Sequence, residues 1–138
     1  MSAHLFIAED ETSIITLLKY NLEKEGHKVS YSENGEDALK QIKDKYPDLI
    51  LMDWMLPDLS GVDICRNLKK DKKFKDIPII MVSAKGEEED KLKAFDTGAD
   101  DYVTKPFSQK ELNARIKSLL RRSKPQSSID VAEFTDLK

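Results

Sequence analysis

Three acidic residues could bind a metal ion if the fold brought them together. Glu9 and Asp10 follow the apolar run Leu5–Ala8, and Asp53 follows the apolar run 49–52. Two carboxylates about 4 Å apart repel each other by about 4 kcal/mol at an effective dielectric constant near 20. A cluster of this kind therefore needs either a cation or raised pKa values. Oxygen-only ligands with room for water favour Mg²⁺, and Mn²⁺ could substitute for it.

A hydroxyl group and an ammonium group follow two further apolar runs. Ser83 comes directly after Val82, and Lys105 comes directly after Thr104. A cation, a carboxylate, a hydroxyl and an ammonium group together form a site suited to a phosphoryl group. Asp53 would then be the acceptor and would form an aspartyl phosphate. A single acid after a strand is commonly no more than a solvated loop residue, but the matching positions of all these groups argue against that reading.

The elements that would position these groups are predicted by the spacing of apolar residues. Short apolar runs alternate five times with longer amphipathic stretches, including a fourth strand over 77–82 and a fourth helix over 87–95. This alternation predicts an α/β fold, a single doubly wound (βα)5 sandwich with a parallel sheet covered on both faces. In the strand order 2-1-3-4-5, the first and third strands are neighbours. We therefore expect Glu9, Asp10 and Asp53 to converge where ligands bind in such sheets, beyond the carboxyl ends of the strands.

The composition is that of one globular domain. The chain has 138 residues, of which 39% are hydrophobic and 36% are charged, and its formal net charge of -3 differs from the basic balance of nucleic-acid-binding domains. No apolar run approaches the length of about 18 residues that spans a membrane, so we expect a cytoplasmic protein. Cys65 is predicted to lie in the core, and His4 and His27 are predicted to lie on the surface.

Four segments resemble the receiver domains of two-component response regulators, the CheY-like domains. The resemblance covers about residues 3 to 122, so a receiver domain is predicted over 1–122. The four segments, in chain order, are Ile7–Glu11, Leu49–Pro57, Val82–Lys85 and Gly98–Phe107.

The resemblance implies that Asp53 accepts a phosphoryl group from a sensor histidine kinase. It also implies that Asp10 and Asp53 bind Mg²⁺ directly, that the backbone carbonyl of Met55 is a third ligand, and that Glu9 acts through water. Such a domain catalyses only its own phosphorylation and dephosphorylation, so it is a signalling domain and not a turnover enzyme.

The same resemblance assigns roles to residues around the phosphoryl group. Ser83 would donate a hydrogen bond to the phosphoryl group, and Lys105 would pair with its charge. Tyr102 would turn inward once Ser83 is drawn toward the phosphate. The bond between Lys105 and Pro106 is similar to one that is cis in the family, and Pro106 is thereby counted with the switch residues.

Within the family, the motifs are similar to those of the OmpR/PhoB subfamily of transcriptional regulators. The resemblance implies a homodimer of the phosphorylated form through the fourth helix, the fifth strand and the fifth helix. Expected ion pairs across this face are Lys91 with Glu111, Asp100 or Asp101 with Arg115, and Asp96 with Arg122, around an apolar centre of Leu92, Phe95 and Ala114.

The remaining residues, 123–138, are predicted to be a linker and the possible start of a missing winged-helix DNA-binding domain. DNA would be bound only through that domain. A standalone receiver that acts through protein–protein interaction is the alternative. An aspartate-nucleophile phosphatase usually needs a second aspartate two residues after the nucleophile, where this chain has Met55. A receiver-like module that works without phosphate is a third reading, and the intact set of site residues argues against it.

Overall fold

Five strands and five helices alternate along the chain in the computed structural model, which describes residues 2–123. The helices and strands are β1 His4–Ala8, α1 Thr12–Lys24, β2 Lys28–Ser32, α2 Gly35–Lys45, β3 Leu49–Asp53, α3 Gly61–Lys70, β4 Ile79–Ser83, α4 Glu88–Asp96, β5 Asp101–Thr104 and α5 Gln109–Ser123.

The strands form one parallel sheet in the order β2-β1-β3-β4-β5, so the predicted fold and strand order are confirmed. Ala8 of β1 lies opposite Met52 of β3, and Asp53 lies opposite Val82 of β4. Ser83 in turn lies opposite Thr104. This register places the residues after β1, β3, β4 and β5 along a single edge of the sheet.

Alternate residues of the central strands pack on opposite faces of the sheet. Leu49 and Leu51 of β3 belong to a core with the apolar faces of α1 and α5. Ile50 and Met52 belong to a second core with α2, α3 and α4, and this core includes the buried Cys65. Every residue of β3 is buried, because a parallel strand in the middle of a sheet has helices on both sides.

Local sequence explains where several elements begin. The side chains of Asn34 and Ser60 accept hydrogen bonds from backbone N–H groups in the first turns of α2 and α3. The fourth strand was predicted over 77–82 but runs from Ile79 to Ser83. Pro78 has no N–H to donate, and its carbonyl instead accepts a hydrogen bond from the N–H of Ile50. The fourth helix begins at Glu88, one residue later than predicted, because Glu87 is extended.

The surface position predicted for His27 is wrong, because this side chain is buried and its Nδ1 accepts a hydrogen bond from the N–H of Ala3 at 3.2 Å. His4 is partly buried and contacts the hydroxyl of Ser30.

Of the predicted linker, only Ser123 falls within the described residues, as the end of α5. In residues 2–123, no helix combines the length and apolar character needed to cross a membrane.

Candidate functional site

Three carboxylates meet at the carboxyl end of the sheet, as the sequence predicted. One carboxylate oxygen from each of Glu9, Asp10 and Asp53 lies within 4.8 Å of the others. Glu9 and Asp53 are buried, whereas Asp10 is exposed. They converge because β1 and β3 are hydrogen-bonded neighbours that both end here.

The ammonium group of Lys105 binds this cluster from the end of β5. Its Nζ lies 3.1 Å from Glu9 Oε1, 3.1 Å from Asp53 Oδ2 and 3.2 Å from Glu11 Oε1. The contact with Glu11 was not predicted, because Glu11 carried no assigned role. The peptide bond between Lys105 and Pro106 is cis, which confirms the expectation from the motif. One lysine side chain therefore connects the loops after β1, β3 and β5.

The charges at the site shift the pKa values of two of its groups. Burial and the neighbouring charge of Asp53 raise the pKa of Glu9 to about 7. Burial by itself would lower the pKa of Lys105, but the hydrogen bond that its ammonium group donates to Glu9 and the charge of Asp53 outweigh burial and hold this pKa above its ordinary value. The site therefore carries more negative charge than Lys105 alone compensates.

The donor set at this site fits a divalent cation that prefers oxygen ligands. All three clustered donors are carboxylates, without histidine or cysteine among them, which favours Mg²⁺ over Zn²⁺. The raised pKa of Glu9 is a second sign that a cation would be stabilised here. The residues present therefore fit the ion that the sequence implied.

The loop after β3 is tied closely to Asp53. The N–H of Met55 donates a hydrogen bond to Asp53 Oδ1 at 3.0 Å, and the Met55 side chain is 59% exposed. The N–H of Gly61 donates to the carbonyl of Trp54 at 2.9 Å. A Cβ atom on Gly61 would lie 2.1 Å from the backbone oxygen of Asp53. Only glycine therefore fits where α3 begins against the backbone of Asp53.

Sequence reasoning missed Asp58, whose carboxylate joins this loop to α2. Its two oxygens accept hydrogen bonds from the N–H groups of Gly35 at 2.6 Å and Glu36 at 3.0 Å. These bonds, above all the one from Glu36, hold the pKa of Asp58 below its usual range. The contact spans 23 and 22 residues of chain, and nothing in the local pattern around Asp58 signals it.

Ser83 and Tyr102 lie beside the acidic cluster on β4 and β5. Ser83 is fully buried, and its hydroxyl accepts a hydrogen bond from the N–H of Lys85 at 3.1 Å. Tyr102 is also buried, and its hydroxyl donates a hydrogen bond to the carbonyl of Lys85. Burial raises the pKa of Tyr102. The tyrosine ring is therefore turned inward in this structure.

The predicted apolar centre of the dimer face is exposed. Leu92 and Phe95 on α4 are 60% and 45% exposed, and Ala114 on α5 is exposed as well. Lys91, Asp96 and Arg122 are also exposed.

The structure distinguishes between the two aspartates proposed to pair with Arg115. Within the chain, the guanidinium binds both oxygens of Asp101 at 2.8 Å and also Glu111 at 2.9 Å. Asp100 is bound elsewhere, with its carboxylate 3.0 Å from Lys69 Nζ and accepting from the N–H of Ile79 at 2.8 Å. Asp101 is therefore the aspartate that faces Arg115, and ion pairs between two chains remain a prediction.

Comparison with known proteins agrees with this geometry. The sequence profile of the response regulator receiver domain matches residues 5–117. This chain belongs to that family. It is 49% identical over 123 residues to the alkaline phosphatase synthesis transcriptional regulatory protein PhoP of Bacillus subtilis, and 43% identical over 137 residues to the phosphate regulon transcriptional regulatory protein PhoB of Escherichia coli. These relatives confirm the OmpR/PhoB subfamily within the receiver family.

Solved structures of receiver domains superpose on most of the chain. The receiver domain of the Francisella response regulator 1452 has a TM-score of 0.83 and 34% identity, covering 88% of this chain and 99% of that one. The BeF3-activated receiver domain of Klebsiella pneumoniae RstA has a TM-score of 0.80 and 29% identity, covering 86% and 98%. The match to PhoP covers 89% of this chain and 50% of PhoP, and the match to PhoB covers 99% and 60%. The chain thus spans about half the length of these curated relatives.

Proposed function

We propose that this receiver domain accepts a phosphoryl group on Asp53 from a sensor histidine kinase and that Mg²⁺ is required. The observation that carries the proposal is that the side chains of Asp53, Glu9, Asp10 and Lys105 lie close together at one edge of the sheet. Asp10, Asp53 and the backbone carbonyl of Met55 would hold the ion, and Glu9 would act through water. When bound, Mg²⁺ would offset the negative charge of the phosphoryl oxygens.

The chain's own residues position the reaction. A carboxylate oxygen of Asp53 attacks phosphorus, the P–N bond of the kinase phosphohistidine breaks, and the imidazole leaves with the bonding electrons. Lys105 exchanges part of its contact with Asp53 for the incoming phosphoryl group. Ser83 follows Val82, the residue that lies opposite Asp53 in the sheet. Its hydroxyl turns to donate a hydrogen bond to a phosphoryl oxygen. Catalysis here consists of positioning and charge compensation.

The phosphorylated state is read out through β5 and its flanking helices. When Ser83 turns toward the phosphoryl group, the inward position of Tyr102 is favoured, and the α4–β5–α5 face becomes competent to form a homodimer. Exposed Leu92 and Phe95 would supply its apolar contacts. Exposed ion pairs contribute about 0–1 kcal/mol each, so those around this centre would fix the register of the dimer more than its affinity.

The output is proposed to be control of transcription in the cytoplasm, through a winged-helix DNA-binding domain beyond residue 123. The support is that the curated relatives are named as transcriptional regulatory proteins and are about twice as long. A standalone receiver that acts through protein–protein contacts is the second candidate. The downstream coding sequence separates the two.

Intact-mass spectrometry tests the phosphoacceptor. Incubation with acetyl phosphate and Mg²⁺ should add one phosphoryl group to the wild type. Asp53→Asn should take up none, whereas Asp44→Asn, an exposed aspartate on α2, should behave as the wild type. Chelation of Mg²⁺ with EDTA should abolish the addition. Uptake by Asp53→Asn at the wild-type rate would refute the assignment.

A further inference from the structure

Three contacts at Lys85 hold the segment that leaves β4. Its N–H donates to the Ser83 hydroxyl at 3.1 Å, and its carbonyl accepts from the Tyr102 hydroxyl. Its ammonium group lies 5.3 Å from the centroid of the Trp54 ring. In residues 2–123, no carboxylate lies within ion-pair distance of this ammonium group. The Trp54 ring is therefore its partner.

Trp54 completes the set of contacts on the other side. It directly follows Asp53, its side chain is buried, and its ring meets the Tyr102 ring edge-to-face with centroids 6.5 Å apart. Lys85, Tyr102 and Trp54 thus form a closed series of contacts, and the N–H of Lys85 joins Ser83 to it. A cation over an indole face is attracted by the quadrupole of the ring, and the attraction is stronger where water is partly excluded.

We infer that Lys85 is a positioning residue, and that its cation–π contact with Trp54 is a latch that stabilises the inward position of Tyr102. Tyr102 can keep its hydrogen bond only while the carbonyl of Lys85 faces it. The side chain of Lys85 fixes that peptide by anchoring it to Trp54, the residue that follows β3. By linkage, if phosphorylation favours the inward state, a contact that stabilises the inward state also favours phosphorylation, up to the coupling free energy between the two. This last step rests on the proposed function.

The latch is tested first without any phosphoryl group, by acrylamide quenching of Trp54 fluorescence. Lys85→Met should increase the quenching constant and shift the emission to longer wavelength, because the neutral side chain is no longer held over the indole by its charge. Lys85→Arg keeps a cation over the ring and should match the wild type. Lys40→Met, which removes an exposed lysine on α2, controls for loss of one charge. Equal quenching in Lys85→Met and wild type would overturn the latch.

The coupling is tested with beryllium fluoride and Mg²⁺ as the phosphoryl mimic, followed by the ¹⁹F signal of 3-fluorotyrosine at position 102. In Lys85→Met the apparent affinity for the mimic should fall by roughly three- to tenfold, the range expected of a partly buried cation–π contact. Lys85→Arg should restore it. In a Trp54→Leu background, Lys85→Met should have no further effect.

The two tests separate failure of the latch from failure of the proposed function. If the wild type does not bind the mimic, the proposed function fails while the quenching result still decides the latch. If the wild type binds it and Lys85→Met binds it equally well, Lys85 does not position the switch.

Discussion

Replacement of Gly61 by alanine should disturb Asp53, the proposed phosphoacceptor, although residue 61 has no side chain that could react. Gly61 begins α3 directly behind Asp53, and its N–H binds the carbonyl of Trp54. An added Cβ would lie 2.1 Å from the Asp53 carbonyl oxygen and 2.8 Å from Cγ of Met52. Real Cβ contacts stay at or above 3.0 Å, so β3 and α3 must move apart by about 0.9 Å, the difference between 3.0 and 2.1 Å.

This displacement sets the expected loss of unfolding free energy and of phosphorylation rate. Overpacking of a buried site costs about 1–3 kcal/mol, and the clash with rigid backbone points to the upper end. Alanine also lowers the entropy of the unfolded chain relative to glycine, which offsets about 0.4–1 kcal/mol. We therefore expect Gly61→Ala to lose about 2 kcal/mol of unfolding free energy. Since a misplacement of about 1 Å can slow a reaction about 100-fold, phosphorylation by acetyl phosphate should slow by up to that factor.

Two measurements check this prediction. Guanidinium unfolding followed by Trp54 fluorescence gives the stability, and intact-mass time courses give the phosphorylation rate. Gly86→Ala is the matched control, because its nearest neighbour is the Thr104 methyl group at 3.2 Å, a side chain that can adjust. If Gly61→Ala were as stable and as reactive as Gly86→Ala, the argument that close backbone approach positions Asp53 would be wrong.

Three further predictions concern pH, a helix cap and the dimer face. If ionised Glu9 supports Mg²⁺ binding through water, as proposed, its pKa of about 7 makes the affinity depend on pH. Fluorescence titration should then show Mg²⁺ affinity about tenfold weaker at pH 6 than at pH 8, and Glu9→Gln should remove most of this pH dependence. Asn34→Ala should lower the unfolding free energy in urea by about 1 kcal/mol or less, because Asp58 still caps the same helix; a loss above about 2 kcal/mol would contradict shared capping. With beryllium fluoride and Mg²⁺, light scattering should find a dimer of the wild type and a monomer of Phe95→Glu, while Tyr20→Glu, at a side chain 64% exposed, should still dimerise.

The part of the site that follows from strand order could be predicted from the sequence. Parallel strands end at one edge of the sheet, so the position of Glu9 and Asp53 after apolar runs was enough to bring them together. The cis bond before Pro106 matched the motif that contains it. The inward turn of Tyr102 on phosphorylation stays a prediction, because Tyr102 is already buried in this structure. The convergence of Glu9 and Asp53 depends on the backbone path, which hydrophobic patterning specifies, whereas the cis bond was expected only from the resemblance of the motif.

Contacts made by long side chains between distant loops were not predictable in the same way. Three such contacts depend on side-chain rotamers and loop paths, which produce no periodic pattern in the sequence. They are the contact of Asp58 with the N-terminus of α2, the position of Lys85 over Trp54 and the contact of Lys105 with Glu11. His27 was misjudged for a related reason. A polar residue can be buried when one backbone N–H satisfies it, and the sequence does not show that partner.

Lys105 lies far along the chain from the acids that it contacts, and this has a consequence for folding during synthesis. Its ammonium group contacts Glu9 and Asp53 across 96 and 52 residues of chain. At about 5–20 residues per second, a ribosome adds the 52 residues after Asp53 in roughly 3–10 s, during which the acids have no lysine to neutralise them. A nascent chain therefore cannot be phosphorylated in the manner proposed until β5 has joined the sheet. Competence to accept the proposed phosphoryl group would thus arise only after Lys105 has been synthesised and β5 has folded onto β4.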